Sequence, residues 1–441
     1  MVVSILPTID GLHSSEALSP TFLESLFACA ADIEAQPSKY SQALSGKVIA
    51  TVFNEPSTRT RLSFESAAHR LGASVISVSD SKSTSGAKGE SLADMTRVVS
   101  SYADLMVLRH PYDGASRYAS RYSEIPLING GDGRLGHPTQ TLVDLYTLHK
   151  KWDGKFQGKT VALLGDLSNG RTVRSLAWSL AMLDVKIVLL PGPGLDWSPS
   201  FEHRIVDHFD YRLRWVSHPL FSDWTGNSEA RIIEPRGLVQ KDLFGNDVLK
   251  LEDLDALYLT RLQVERGAVP GGGVFPGIHS EIIQNKLLDN CLFLHPLPRR
   301  DELPTSIDGD RRAIYFEQAA NGPIVRQAVF LAALAGQDYS LLPLRSLSAG
   351  NTVHSLKQCS NENCVSRHEG VAFPWRIFGR LRRVFLCSLC DSQLVVDYIG
   401  CSSTRKFHAQ HSPAAQRISP ENMHPFAQRS DAEARGFNWG N

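Results

Sequence analysis

The chain has no excess charge of either sign. Its 46 lysines and arginines are matched by 46 aspartates and glutamates, and its pI is 7.3. A balanced chain has no global basic field, so nucleic acid is not an expected partner. Long apolar runs are missing too: none approaches the roughly 20 residues of a membrane span, and no membrane partner is expected. The first residues, Met1-Val2-Val3-Ser4-Ile5-Leu6-Pro7, lack the basic stretch and full apolar core of a secretory signal. Cysteine is sparse and odd in number, at seven, with four of them clustered late in the chain. That argues against a secreted disulfide scaffold and for a reducing compartment, the cytoplasm. The strand-to-helix turn Gly165–Gly170 carries no G-x-G-x-x-G, so no dinucleotide site is expected there.

What is present is a 42% apolar share over 441 residues, enough for two or three domains with real cores. Strand-like runs alternate with helical periodicity from Gly46 onward, the order of an α/β fold with parallel sheets. Val48–Phe53 reads as a buried strand, and Asn54-Glu55-Pro56 breaks it. Ser57-Thr58-Arg59-Thr60-Arg61 then opens a helix whose apolar positions are Leu62, Ala67, Ala68 and Leu71. A helix start offers unpaired N–H groups and the positive end of the dipole, and here hydroxyls and guanidinium forks are added, a set that suits phosphate. Taken alone, the run also fits an ordinary capped helix with solvent-facing arginines.

Other marked polar residues follow the same rule, each lying just after an apolar strand, where ligands of open α/β sheets gather. Arg109 follows Leu105–Leu108, and His137 and Gln140 open a helix after Pro126–Ile128. Arg171 opens a helix after Thr160–Leu164, Arg261 and Gln263 follow Leu254–Leu259, and His295-Pro296-Leu297-Pro298-Arg299 follows Cys291–Leu294. Gln318–Leu334 is predicted to be a long helix, while 191–250 reads as irregular, with a strand or two. The expected division is two doubly wound parallel-sheet domains, 1–150 and 151–300, then helices over 301–344 that pack back on the first. A linker over 345–357, a small β-rich cysteine domain over 358–401 and a disordered polar tail over 402–441 complete it.

Four motifs in order and spacing make the chain recognisable: Ser-Thr-Arg-Thr-Arg at 57–61, Arg-His-Pro at 109–111, His-Pro-Thr-Gln at 137–140 and His-Pro-Leu-Pro-Arg at 295–299. Over about residues 5–340 the sequence resembles the aspartate carbamoyltransferase family. The resemblance implies a transcarbamoylase fold and transfer of the carbamoyl group of carbamoyl phosphate to the amine of L-aspartate, giving N-carbamoyl-L-aspartate and phosphate in pyrimidine synthesis. By resemblance, Ser57, Thr58, Arg59 and Thr60 hold the phosphate, Arg109 bridges toward phosphate and carbonyl, and Thr60 and His137 polarise the carbonyl oxygen. Gln140 and the backbone of Leu297 and Pro298 hold the carbamoyl nitrogen, and Arg171, Arg261 and Gln263 clamp the aspartate carboxylates. Ser85 and Lys88, in Ser85-Gly86-Ala87-Lys88-Gly89-Glu90, reach the neighbouring subunit's site, Lys88 joining its aspartate ligands, which implies a homotrimer at least. No cofactor is needed for the chemistry. The sister ornithine enzymes share the phosphate motifs but typically carry His-Cys-Leu-Pro where this chain has His-Pro-Leu-Pro, and paired arginines suit a dicarboxylate better than a cationic side chain. A catalytically silent assembly scaffold is the alternative from another class, and no ligand named above is missing to favour it.

Cys359 and Cys364 are separated by four residues, Cys387 and Cys390 by two, with 22 between the pairs. Two such knuckles suit one tetrahedral Zn²⁺ held by four thiolates, a closed and therefore structural site. Cys29 and Cys291 read as core residues and Cys401 as a spare. The segment resembles the zinc domain of the separate regulatory chain of bacterial aspartate carbamoyltransferases, in Cys-Ser-Asn-Glu-Asn-Cys-Val-Ser and Cys-Ser-Leu-Cys. The short stretch from Leu344 to Cys359 leaves no space for that chain's nucleotide-binding domain, so a fusion that keeps only the docking module is expected.

Overall fold

The computed structural model describes residues 11–79, 89–217, 221, 225, 229–236, 254–264, 275–278, 288–335, 352–353, 359–371, 375–378 and 384–440. The chain begins with helix α1 (Pro20–Ala35), started by the Ser19 hydroxyl, which accepts from the Phe22 N–H at 3.2 Å, and with the short α2 (Pro37–Tyr40). Alternation follows: β1 (Val48–Phe53), α3 (Thr58–Arg70), β2 (Ser74–Val78), α4 (Leu92–Ser100), β3 (Leu105–His110), α5 (Ala115–Ala119), β4 (Leu127–Asp132) and α6 (Pro138–Lys151). The four strands form a parallel sheet in the order β2-β1-β3-β4. Its register sets Phe53 opposite Arg109, so the loop after β1 and the end of β3 meet at one edge.

The second unit holds β5 (Thr160–Gly165), α7 (Arg171–Met182), β6 (Lys186–Pro191), α8 (Pro199–Phe209), β7 (Tyr211–Ser217), β8 (Glu229–Pro235), β9 (Ala256–Leu259) and β10 (Leu292–Leu294). Its sheet order is β10-β9-β5-β6-β8-β7. The first four strands of that order are parallel, as expected, but β8 runs antiparallel to both β6 and β7. Only residues 218–228 join β7 to β8, short of what a crossover back to a parallel strand needs. The stretch read as irregular with a strand or two thus holds two strands, as expected, and a helix that was not expected. Helix α9 (Tyr315–Leu334) returns to the first unit and packs on α1, α3 and α6, burying Val325, Val329 and Phe330.

The cysteine region forms an antiparallel sheet of β11 (Thr352–Val353), β12 (Trp375–Phe378), β13 (Val384–Cys387) and β14 (Gln393–Leu394) beside the short α10 (Val365–His368). Thr352 and Val353, expected in the linker, belong to this sheet; the rest of 345–357 lies outside the described residues. The module packs on the first unit of its own chain. Trp375, Phe385 and Leu389 share one apolar cluster with Ala50, Val52, Met106 and Leu108. Nearby, the buried Asp391 and the largely buried Glu16 gather three arginines from three parts of the fold. Arg117 of α5 lies 2.7 Å from Asp391, Arg204 of α8 lies 2.5 Å from Glu16 and 3.5 Å from Asp391, and Arg376 of β12 contacts both.

The expected disordered tail is instead folded. β15 (Tyr398–Cys401), β16 (Lys406–Ala409), β17 (Met423–Phe426) and β18 (Asn438–Trp439) form a sheet in the order β17-β15-β16-β18, flanked by Pro413–Gln416 and Arg429–Ala434 helices. Its core is Phe407, Phe426, Phe437 and Ala432. Three aromatics, each burying a large area, replace the aliphatics that the composition lacks. Arg405 and Arg435 lie over the Phe437 and Phe426 rings, so even the charged residues cover apolar surface.

Candidate functional site

The two sheets turn their strand ends toward one cleft of about 1440 Å³. Ser57, Thr58, Arg59, Thr60, Arg109, His137, Gln140, Arg171, Arg261, Gln263, Leu297 and Pro298 all line it. Of the residues singled out in the sequence for the substrates, Ser85 and Lys88 lie outside the described residues.

Local folding explains each position. Ser57 holds the N-cap of α3 with extended backbone, yet its side chain makes no capping hydrogen bond, so the plain capping reading does not use the hydroxyl. Arg59 is exposed on the first turn; partial desolvation, and then the facing Arg261, hold its pKa below the usual arginine value. Arg109 ends β3 almost fully buried, donating to the Gly130 carbonyl at 3.3 Å and to Glu55 at 3.1 Å. Glu55 also takes Arg171, at 2.9 and 3.2 Å, while Arg171 donates to the Gly133 carbonyl at 3.2 Å. Gly131, at φ +114°, gives the Arg171 guanidinium its space, since a Cβ there would lie 2.9 Å from Cζ. One carboxylate therefore ties an arginine of the first unit to an arginine of the second. Sequence reading passed Glu55 over as part of a strand break; its place between a strand end and the Ser57 run was the available signal.

His137 caps α6, its N–H donating to Ser175 Oγ at 3.0 Å and its Nδ1 lying 3.3 Å from Thr139 Oγ1. Gln140 sits one turn on and donates through Nε2 to the buried Asp144 at 2.8 Å. Gln263 is held by its N–H to Asp166, at 3.0 Å, and by its side chain to the Arg261 carbonyl, at 3.1 Å. After β10, Leu297 adopts φ +52°, a left-handed conformation that non-glycine residues rarely take, next to a cis bond to Pro298. The His295 ring fixes this turn. Its Nδ1 accepts from the Leu297 N–H at 2.8 Å, so the proton sits on Nε2, which donates to Glu302 at 3.0 Å. Burial keeps this histidine pKa low and the ring neutral.

Six arginines (59, 109, 134, 171, 261 and 326) line the cleft against two glutamates, Glu55 and Glu362. That excess is a place for a polyanion. Some of the lining comes from the cysteine module, through Asn361, Glu362, Asn363 and His368, which no sequence signal announced. The module grips the segment just after Arg109. Asp113 accepts from Asn361 Nδ2 at 2.7 Å and Asn363 Nδ2 at 3.2 Å, and the His368 ring stacks on Tyr112 at 3.6 Å.

The four cysteines expected to bind metal converge. The sulfurs of Cys359, Cys364, Cys387 and Cys390 are buried and all within 4.8 Å of one another, two pairs at 3.4 and 3.9 Å. Thiolates about 2.3 Å from a tetrahedral Zn²⁺ stand about 3.8 Å apart, so the set can hold such an ion. Cys29 and Cys291 are buried core residues, as read from the sequence.

Comparison with known proteins agrees with this geometry. Residues 11–150 match the family described as "Aspartate/ornithine carbamoyltransferase, carbamoyl-P binding domain". The aspartate carbamoyltransferase catalytic subunit of Alkaliphilus oremlandii is 39% identical over 325 residues, 73% of this chain and 89% of that protein. Its counterpart from Thermoplasma acidophilum is 41% identical over 73% of this chain and 93% of its own. Among solved structures, the catalytic subunit of M. jannaschii aspartate transcarbamoylase superposes with a TM-score of 0.57 at 34% identity, covering 75% of this chain and 99% of that one. Trypanosoma cruzi aspartate transcarbamoylase in complex with carbamoyl phosphate and aspartate gives 0.57 at 30% identity, covering 74% and 98%. With strand order, cleft and sequence pointing the same way, the chain belongs to the aspartate carbamoyltransferase catalytic subunit family.

Proposed function

We propose that the protein transfers the carbamoyl group of carbamoyl phosphate to the α-amine of L-aspartate, in pyrimidine biosynthesis. The observation that carries this is the convergence of the Ser57–Thr60 run, Arg109, His137, Arg171 and Arg261 on one arginine-rich cleft between two sheets. Ser57, Thr58, Arg59, Thr60 and Arg109 hold the phosphate at the start of α3, where N–H groups and the helix dipole add to the guanidinium charge. Thr60, Arg109 and His137 face the carbonyl oxygen and stabilise the negative charge that grows on it. Gln140 and the Leu297 and Pro298 carbonyls take the carbamoyl nitrogen, while Arg171, Arg261 and Gln263 take the two carboxylates of aspartate. The amine nitrogen attacks the carbonyl carbon, the bond from carbon to the bridging oxygen breaks, and the leaving phosphate accepts the amine proton. Holding both reactants in this geometry supplies up to roughly 7–11 kcal/mol of the barrier reduction.

The same reading places a structural Zn²⁺ on Cys359, Cys364, Cys387 and Cys390, in a module like the bacterial regulatory-chain zinc domain, where the ion contributes folding energy and no chemistry. It also takes the working form as a homotrimer, with Ser85 and Lys88 completing a neighbour's site. Edge strand β2 supports this, since it leaves Ile76 and Val78 exposed, an apolar edge that a second copy would cover. Seven cysteines with no disulfide among them suit a reducing cytoplasm. No described helix is long and apolar enough to cross a membrane. The test is steady-state kinetics on purified protein. Carbamoyl phosphate and L-aspartate should yield phosphate and carbamoyl aspartate in equal amounts, and Arg261→Ala should raise the KM for aspartate far more than that for carbamoyl phosphate. Absence of turnover in the unaltered protein would sink the proposal.

A further inference from the structure

We infer that Asp144 is a positioning residue that orients the acceptors of the carbamoyl-nitrogen subsite, and so sets the preference for a carbamoyl donor over an acyl donor. The inference deepens the transcarbamoylase reading and rests on it. Carbamoyl phosphate and acetyl phosphate are near-isosteres that differ by –NH₂ against –CH₃ on the same carbonyl carbon. Charge and shape alone cannot separate them. Hydrogen-bond acceptors aimed at the nitrogen can, because the methyl group leaves them unpaired.

A glutamine amide offers an acceptor or a donor depending on which way it is turned. At Gln140 the choice is made from behind. Asp144 is fully buried one turn along α6, and its Oδ1 accepts from Gln140 Nε2 at 2.8 Å. With its nitrogen engaged there, Gln140 keeps its oxygen for the cleft that it lines. The same Oδ1 accepts from Gln318 Nε2 of α9 at 2.6 Å. Gln318 Oε1 in turn accepts the His295 N–H at 3.0 Å, at the head of the turn that presents the Leu297 and Pro298 carbonyls. Tyr258 of β9 donates to the other oxygen, Oδ2, at 2.9 Å. One carboxylate, reached from α6, from β9 of the second sheet and from α9, thus fixes the side-chain acceptor directly and the backbone acceptors through one relay. Asp144 does not line the cleft, so it acts only through these partners.

The test compares kcat/KM for carbamoyl phosphate with kcat/KM for acetyl phosphate, aspartate being the acceptor, in the full-length protein. Asp144→Asn puts an N–H₂ group among three donors and frees Gln140 to turn. The ratio of the two values should fall about tenfold or more, with most of the loss on the carbamoyl donor. Gln318→Leu removes the relay to His295 together with one of the three donors to Asp144, leaves Gln140 paired with Asp144, and should lower the ratio in the same direction, which keeps the test available if the Asp144 variant does not fold. A uniform loss on both donors, leaving the ratio within twofold in every variant that folds, overturns the positioning role while leaving the functional reading intact. Unaltered protein that turns over neither donor overturns the reading and the inference together.

Discussion

The cysteine module is joined to the rest of the chain by buried charge, and Asp391→Asn tests how firmly. Asp391 is 3% exposed and faces Arg117, Arg204 and Arg376, which it shares with the carboxylate of Glu16. Removing one anion leaves three guanidinium groups around a single carboxylate, away from water. Breaking a buried pair from one side costs about 3–5 kcal/mol, because the surviving charge keeps its desolvation penalty and loses its partner. We expect about 4 kcal/mol in the denaturant-unfolding transition that releases the module, followed by tryptophan fluorescence, Trp375 being buried in it. The pH dependence has a defined sign. Burial opposes ionisation of Asp391, but Arg117, Arg376 and Arg204 outweigh it and hold the carboxyl well below the usual carboxylate range. A depressed folded-state pKa gives stability that is present above the unfolded value, near 3.9, and lost as pH falls below it. The gap between the unaltered protein and Asp391→Asn should therefore be full at pH 7 and narrow below about pH 4. A second variant separates charge from shape: Asp391→Leu with Arg376→Met should recover part of the loss. A difference under 1 kcal/mol at pH 7 for Asp391→Asn would refute the reasoning.

Glu55→Gln removes the carboxylate shared by Arg109 and Arg171; kcat/KM for aspartate should fall by about ten- to a hundredfold, as expected for lost charge-assisted hydrogen bonds of roughly 1.5–3 kcal/mol, and an unchanged value in steady-state assays would contradict the bridging role. Cys364→Ser should lower the zinc content measured by elemental analysis from one ion per chain toward zero, and should expose the sheet of β11–β14 to limited proteolysis. Burial raises the pKa of Asp144 to about 6 against the hydrogen bonds of Gln140, Gln318 and Tyr258. A raised carboxyl stabilises the fold fully below the unfolded pKa and loses that contribution as pH rises through 6, so stability should decline by about 3 kcal/mol between pH 4 and pH 7 relative to Asp144→Asn; parallel pH–stability curves would show that the carboxyl is not held in this way.

The parts of the fold that were legible are those where backbone and side-chain rules coincide. Val48–Phe53 and Leu105–Leu108 are buried almost throughout, so they read as nearly continuous apolar runs, and the polar residues that follow had to lie at strand ends. That made Arg59, Arg109, His137, Arg171 and Arg261 visible as one set. Glu55 was hidden because its function depends on two arginines from different sheets, a relation that no local window contains. Asp144 and Gln318 were hidden because they sit on the buried sides of helices and act through partners far along the chain. A strand or two was legible in 191–250, but α8 and the antiparallel pairing of β7 with β8 were not, because pairing depends on partners outside any local window, and the folded tail escaped because Phe407, Phe426 and Phe437 are spread among polar residues. The cysteine spacing announced a knuckle pair but carried no information about docking, which depends on Asp113 meeting Asn361 and Asn363 across about 250 residues of chain.

The most direct measurement offers the purified protein labelled carbamoyl phosphate with equal concentrations of L-aspartate and L-ornithine, and identifies the product by mass spectrometry. The arginine-lined cleft predicts labelled N-carbamoyl-L-aspartate with released phosphate and little labelled citrulline. Citrulline as the main product, or no labelled product at all, would contradict it.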